Sequence, residues 1–128
     1  MKIIQLKNYT MTQMTGFIIV TDSNDIIAVD GGTPGDTEGF LARLKNVCEE
    51  LGRESEVDLW LITHPHDDHY SVFTEISKRK RAGQDMPEIG CVMYYPQPDS
   101  FGEYEKIFAG QIKQLNEEMA VTPYNKKR

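Results

Sequence analysis

The sequence predicts a layered α/β fold with the element order β-β-β-α-β-α-β-α. Short apolar runs of strand length are followed by longer stretches in which apolar residues recur every three or four positions, as on one face of a helix. Turn-forming residues separate these segments, and no repeat or low-complexity linker interrupts them. The length of 128 residues corresponds to a single domain, residues 1–128.

Five apolar runs have the length and composition of β-strands: residues 2–7, 16–22, 25–30, 57–63 and 89–95. Ser23 and Asn24 separate the second run from the third. Two turn-forming residues between strand patterns indicate a tight hairpin, so we expect these two strands to pair directly. The fourth and fifth runs predict buried strands.

Three segments have helical periodicity: residues 36–51, residues 69–81 and residues 103–119. The apolar stripe of the first segment consists of Phe40, Leu41, Leu44, Val47, Cys48 and Leu51. Gly52 can end this helix, and Cys48 is expected in the core. The stripe of the third segment consists of Tyr104, Ile107, Phe108, Gln111, Ile112, Leu115 and Met119. Such stripes are normally buried.

Composition excludes several classes of function. The net charge of −6 argues against general nucleic-acid binding or binding to anionic membranes. The two cysteines, Cys48 and Cys91, match no zinc-finger spacing and suit a reducing cytoplasm. No apolar signal region and no run long enough to span a bilayer is found, so we expect a cytoplasmic location. The basic run 78–81 suits a solvated helix C-terminus better than a phosphate or nucleic-acid site.

Residues 64–69, with the sequence His-Pro-His-Asp-Asp-His, contain every histidine of the chain. Imidazole and carboxylate groups together are the ligand set of zinc and iron hydrolytic sites. The segment directly follows the predicted strand 57–63, and α/β folds place their chemistry at the carboxyl ends of strands. The sequence therefore predicts a metal site on this loop, in preference to a solvated polar turn.

Two adjacent metal ions would lower the pKa of a bridging water and polarise a carbonyl or phosphoryl oxygen of a substrate. Asp68 could then serve both as a ligand and as a base that orients the hydroxide. Aspartate, histidine and water are ligands for zinc, iron and manganese alike. The chemistry expected from these residues is therefore hydrolysis by a metal-activated hydroxide.

The pattern His64-x-His66-x-Asp68-His69 resembles the HxHxDH signature of the metallo-β-lactamase superfamily. The resemblance implies that His64 and His66 bind one metal ion, and that Asp68 and His69 bind a second. Asp67 occupies a variable position of the signature and is not an expected ligand. Zinc, two ions per complete site, is the cofactor that the resemblance implies. The implied fold is the first αβ half of a four-layer αββα sandwich.

Asp30, followed by Gly31 and Gly32, also resembles the family, in which an acidic residue here supports the metal loop from beneath. Such a carboxylate holds a ligand histidine in one tautomer and orientation. The alternative is a strand-ending turn in which both glycines have positive φ. Within the superfamily, the chain looks most similar to hydrolases related to the catalytic domain of a competence protein.

Tyr70 departs from the family pattern, in which small residues commonly follow the last histidine of the signature. Its side chain could narrow the site or contact a substrate. It could also begin the helix and pack on the sheet, which is the interpretation we favour.

The family site is incomplete in this sequence. Members of the family add a later histidine to each metal ion and a bridging aspartate, but no histidine follows His69. The resemblance therefore implies a truncated domain, or a site closed by other groups. Cys91 and Asp99 are the candidate substitutes. A buried cysteine is usually inert packing, and a loop aspartate is more often a turn residue.

The function expected is that of a metal-dependent hydrolase, inactive as this chain alone unless it is complemented. Small-molecule or phosphoester substrates are favoured over β-lactams because no export signal is present. Two alternatives stay open. Two copies could pair through an exposed sheet face and complete the site as a homodimer. The chain could also be a non-catalytic remnant that keeps a partial metal-binding loop.

Overall fold

A mixed five-stranded sheet carries two helices in the computed structural model, which describes residues 1–7, 15–63 and 67–94. The elements are β1 (Lys2–Gln5), β2 (Gly16–Val20), β3 (Ile26–Asp30), a 3-10 turn (Pro34–Asp36), α1 (Thr37–Glu50), β4 (Glu56–Val57), β5 (Leu59–Ile62), α2 (Asp67–Arg81), β6 (Glu88–Ile89) and β7 (Val92–Tyr94). The mixed α/β class is thus as predicted. The predicted helix 103–119 lies outside the described residues.

The strand order of the sheet is β1-β2-β3-β5-β7. β2 pairs antiparallel with both β1 and β3, while β5 pairs parallel with β3 and β7. The predicted hairpin is confirmed, and Asn24 in its turn has a φ of 63°. Because β1, β3, β5 and β7 run in the same direction, their carboxyl ends meet at one edge of the sheet.

Both helices pack on one face of the sheet around Trp60, whose side chain is fully buried. The indole stacks on the ring of Phe40 from α1, with centroids 4.9 Å apart. It meets the ring of Phe73 from α2 edge-on at 5.5 Å. Cys48 is 1 % exposed, so its predicted place in the core is confirmed. The aromatic cluster fixes α2, and therefore the residues at its start, against β5.

The predicted strands 57–63 and 89–95 are each divided in two: the chain bends at Asp58, and Gly90 and Cys91 belong to neither β6 nor β7. The Asp58 carboxylate accepts a hydrogen bond from the Ile26 amide at 2.7 Å and from the Arg53 guanidinium at 2.9 Å. A β-carbon on Gly90 would lie 2.8 Å from the Asp58 carbonyl oxygen, so only glycine allows this approach.

These interruptions leave β4 and β6 paired with each other in a separate two-stranded sheet. The observed order through β7 is therefore β-β-β-α-β-β-α-β-β, not the β-β-β-α-β-α-β that the apolar runs predicted for this part of the chain. No helix in the described part of the chain is long and apolar enough to cross a membrane.

Candidate metal centre

Asp30 ends β3 and is buried at the edge of the sheet where the parallel strands end. Its φ of 54° lies in the left-handed region, which aspartate tolerates better than most residues. The Asp30 carbonyl oxygen accepts a hydrogen bond from the Trp60 indole at 2.7 Å. The main chain is thereby tied to the aromatic core, and the carboxylate points toward the end of β5.

The Asp30 carboxylate accepts three hydrogen bonds, two from Thr63 after β5 and one from His69 in α2. Its Oδ1 accepts the Thr63 amide at 2.8 Å, and its Oδ2 accepts the Thr63 hydroxyl at 2.5 Å. Oδ2 also lies 2.8 Å from Nδ1 of His69. The carboxylate is fully buried, and these donors compensate for the loss of water around it.

Thr63 is a site residue that the sequence analysis did not single out. It could have been identified from its position, since it lies directly after a buried strand and directly before residues 64–69. Because β3 and β5 are parallel neighbours, with Val29 opposite Leu61, the residues just beyond both strands meet at the sheet edge. Thr63 therefore joins Asp30 to the start of the motif.

The two glycines after Asp30 let α2 approach the end of β3. A β-carbon on Gly31 would lie 2.9 Å from the β-carbon of Val72. Gly32 has a φ of 118° and forms an isolated parallel bridge with Tyr70. Glycine is thus required at position 32 because the backbone has a positive φ there. At position 31 it is required because α2 packs so closely that a side chain would clash.

His69 lies in the first turn of α2, with its side chain 15 % exposed. An ionised carboxylate has no proton to donate. The hydrogen bond therefore uses the proton on Nδ1 of His69, which donates it to Asp30. In the neutral ring this leaves the lone pair on Nε2. The pKa of His69 is raised, chiefly by the hydrogen bond to Asp30 and also by the charges of Asp30 and Asp68, against the lowering effect of burial.

Asp68 lies beside His69, with its Oδ2 3.7 Å from Nε2 of the histidine. Two donors that bind one zinc ion at about 2.1 Å each can be at most about 4.2 Å apart. This pair of atoms is therefore close enough to share an ion. The side chain of Asp68 is 28 % exposed, which leaves room for a further ligand.

The second half of the motif, from Asp67 onward, belongs to a helix. The apolar pattern predicted that α2 would start near residue 69, but α2 starts at Asp67. Asp68 and His69 consequently belong to the first helical turn, where free backbone amides and the helix dipole favour negative charge. Their backbone is fixed by α2, whose buried face packs on the core.

The described residues include only part of the predicted ligand set. His64, His66 and Asp99 lie outside the described residues, and no side-chain position is described for Asp67. Within the described ranges, no group of three or more histidine, cysteine, aspartate or glutamate residues could hold a metal ion.

Cys91 is partly exposed and lies level with the middle of β5, because its carbonyl oxygen accepts the Trp60 amide at 2.9 Å. The strand ends that carry Asp30 and Thr63 lie further along the sheet. The geometry therefore gives Cys91 no role beside Asp68 and His69.

Tyr70 and the basic run have the structural roles that the sequence analysis favoured. Tyr70 is 1 % exposed and packs in the core, so its ring does not line an open site. In the basic run, Arg79 pairs with Glu75 at 3.1 Å and with Glu38 of α1. Lys80 pairs with Glu88 at 2.7 Å. Arg79 and Lys80 are thus paired with carboxylates of this chain.

No protein-family model matches this chain, and no curated protein sequence matches it. The resemblance of residues 64–69 to the metallo-β-lactamase signature therefore stays a prediction.

Proposed function

We propose that Asp30 and residues 64–69 form half of the metal site of a hydrolase of the metallo-β-lactamase type. In this proposal the described αβ layer is the first half of the αββα sandwich. His64 and His66 would hold one ion, and Asp68 and His69 the other. Bound zinc ions would supply Lewis acidity and a water of lowered pKa. Iron and manganese suit the same ligands.

The contact between Asp30 and His69 carries the proposal. Histidine ligands usually donate their second ring N–H to a carboxylate or a carbonyl, which fixes the tautomer and raises the basicity of the ligating nitrogen. Nδ1 of His69 does so at 2.8 Å, to a carboxylate that is fully buried. A histidine in a merely solvated turn has no need of such a partner.

The position of this contact also supports a site. Asp30 and Thr63 follow two neighbouring parallel strands, and His69 begins the helix that follows the second of them. Ligands of α/β proteins bind at this edge of the sheet. The imidazole is thus held at the sheet edge by a rigid strand end and not by an exposed loop.

The chain supplies too few ligands for two closed sites. Structural zinc sites use four protein ligands and catalytic sites about three. The motif offers His64, His66, Asp68 and His69, and the sequence has no further histidine. We therefore expect the 128-residue chain to bind metal but to hydrolyse nothing measurable without a complementing partner or segment.

Metal content tests the proposal. Untagged protein, purified without chelator, is analysed by elemental mass spectrometry beside the variants His64→Ala and His69→Ala. We expect close to one or two zinc, iron or manganese ions per wild-type chain and a clear loss in both variants. Asp25→Asn, a change of an exposed aspartate remote from the motif, is the matched control and keeps the wild-type content.

The opposite result would favour the second interpretation, a non-catalytic remnant with a partial loop. In that case the wild-type chain holds substoichiometric metal, and His64→Ala holds the same amount. Assays with a nitrophenyl phosphodiester and a nitrophenyl ester, with each metal added in turn, then separate binding from turnover. Turnover by the wild-type chain alone would contradict the expected inactivity, although not the metal site.

A further inference from the structure

The face of the sheet that points away from α1 and α2 consists almost entirely of apolar side chains. Residues such as Ile18, Ala28 and Trp60 point into the core, so their neighbours along each strand point to the opposite face. The strand register aligns these neighbours in two rows across the sheet. One row is Ile3, Ile19, Ile27 and Leu59, and the other is Phe17, Val29, Leu61 and Met93.

The rows are not buried by the described residues. Ile3 and Met93, at opposite ends, are 61 % and 58 % exposed, and the six side chains between them are half-buried. A sheet with one solvated face normally alternates apolar residues toward the core with polar residues toward water. Gln5 is the polar residue next to Phe17 in its row. An exposed sheet face of this composition is typical of a surface that packs against another segment or molecule.

The size of the face helps to identify what covers it. Strands lie about 4.8 Å apart, and side chains on one face recur about every 6.6 Å along a strand, so two rows cover on the order of 300 Å². A stable interface between two proteins needs about 800 Å² from each partner. Two copies that met only through these rows would therefore form a contact smaller than an interface of standard size.

A single amphipathic helix fits the same area. Residues 103–119 carry the predicted apolar stripe, and a helix of that length is about 25 Å long and about 10 Å wide. Lys106, Lys113 and Glu117 fall on the side opposite the stripe. Such a helix would present apolar residues to the sheet and charges to water.

The segment that connects β7 to residues 103–119 is long enough for those residues to reach the outer face of the sheet. β7 is an edge strand, and it ends at Tyr94 next to Met93, where one row ends. The eight residues 95–102 can span up to about 26 Å when extended. A segment of the same chain also avoids the loss of translational and rotational freedom that a second molecule would suffer on association.

We propose that residues 103–119 form a helix whose apolar stripe packs on the two rows and closes the outer face of the sheet. In the 128-residue chain this helix would take the face that the second sheet covers in a complete αββα sandwich, so the chain alone is a monomer with three layers. The proposal rests on the sheet register and the sequence of this segment, and it does not depend on a metal site.

Methyl NMR on the full chain tests the contact directly. We expect cross-peaks between methyl groups of the stripe, such as those of Ile107 and Ile112, and methyl groups of Ile27 and Val29. A sample that mixes labelled and unlabelled copies separates contacts within one chain from contacts between chains. Cross-peaks between copies, cross-peaks from the stripe to Leu44 or Ile76 instead, or none to either face would each overturn the proposal.

A pair of neighbouring substitutions tests the consequence. Ile112→Glu places a charge within the stripe, whereas Lys113→Glu changes the charge on the opposite side of the segment. We expect Ile112→Glu to expose the rows and to raise the fluorescence of a bound hydrophobic dye severalfold, with concentration-dependent self-association. Lys113→Glu should leave both readouts at the wild-type level. Equal behaviour of the two variants would overturn the proposal.

Discussion

Nδ1 of His69 lies 2.8 Å from Oδ2 of Asp30, so a fully buried carboxylate at the end of β3 holds the imidazole at the start of α2. The two residues are 39 positions apart in the chain. The contact therefore depends on the parallel pairing of β3 with β5 and on the packing of α2. It leaves Nε2 of His69 beside the carboxylate of Asp68.

Asp30→Asn should loosen His69 without changing the shape of the strand end. Asparagine also tolerates the left-handed backbone of this position, so the variant isolates the loss of the carboxylate. We expect the pKa of His69, followed by NMR, to fall relative to the wild type. The loss of charge-assisted hydrogen bonds should lower the free energy of unfolding by about 1–3 kcal/mol.

The control for this variant is Asp25→Asn, which removes an exposed carboxylate from the turn between β2 and β3. It should change neither the titration of His69 nor the urea midpoint by more than the experimental error. If the pKa of His69 in the Asp30→Asn protein equalled that in the wild type, the contact with Asp30 would not be what raises this pKa.

The raised pKa of His69 makes the stability of the metal-free protein depend on pH. The folded protein binds this proton more tightly than the unfolded chain, whose histidines titrate near about 6.5. The stabilisation is thus fully present below about pH 6.5, and it is lost as the pH rises through the folded-state pKa.

Urea unfolding followed by Trp60 fluorescence, from about pH 5.5 to about pH 9, measures this dependence. The comparison with Asp30→Asn isolates His69 from the other two histidines. We expect the stability difference between the wild type and the variant to shrink as the pH rises. A difference that grows with pH would contradict the assignment.

Periodicity predicted much of this fold because the relevant signals are local. The hairpin at Ser23 and Asn24 and the apolar stripe of α1 are each contained within one continuous segment. The proximity of Asp30 to the motif was expected from family resemblance, and the structure brings Asp30 and His69 together.

The interruptions of the predicted strands at Asp58 and Gly90 could not be predicted in this way. Asp58 is held by Arg53 and by the Ile26 amide, and Gly90 by the close approach of the Asp58 backbone. Apart from the local pair of Arg53 and Asp58, these contacts join segments that are distant in sequence, and none of them leaves a periodic pattern. Thr63 was missed for the same reason, since its partner is Asp30 on another strand.

Gly31→Ala should displace α2 from the strand end. The added methyl group would lie 2.9 Å from the β-carbon of Val72, a main-chain-bound atom that cannot rotate away. Overpacking of this kind costs about 1–3 kcal/mol. Since Asp68 and His69 lie in the first turn of the same helix, we also expect weaker zinc binding, measured by calorimetry.

Gly52→Ala is the matched control for this substitution. Gly52 has a φ of 67° but has open space around its α-carbon, so alanine there adds backbone strain without a clash. It should cost about 1 kcal/mol and leave zinc affinity unchanged. If both variants lost zinc affinity equally, a general loss of stability would explain the effect, and not a displaced helix.

Zinc should stabilise the folded chain in proportion to how well His69 is oriented. A ligand that binds only the folded state at 100 times its Kd adds about 2.7 kcal/mol to the free energy of unfolding. We expect thermal unfolding of the wild type to move to higher temperature with added zinc, and Asp30→Asn to respond with a smaller shift. Because a proton on Nε2 competes with the metal ion, the wild-type shift should also diminish below the raised pKa of His69. His69→Ala supplies the baseline for zinc bound elsewhere, and a shift in that variant as large as in the wild type would exclude His69 as a ligand.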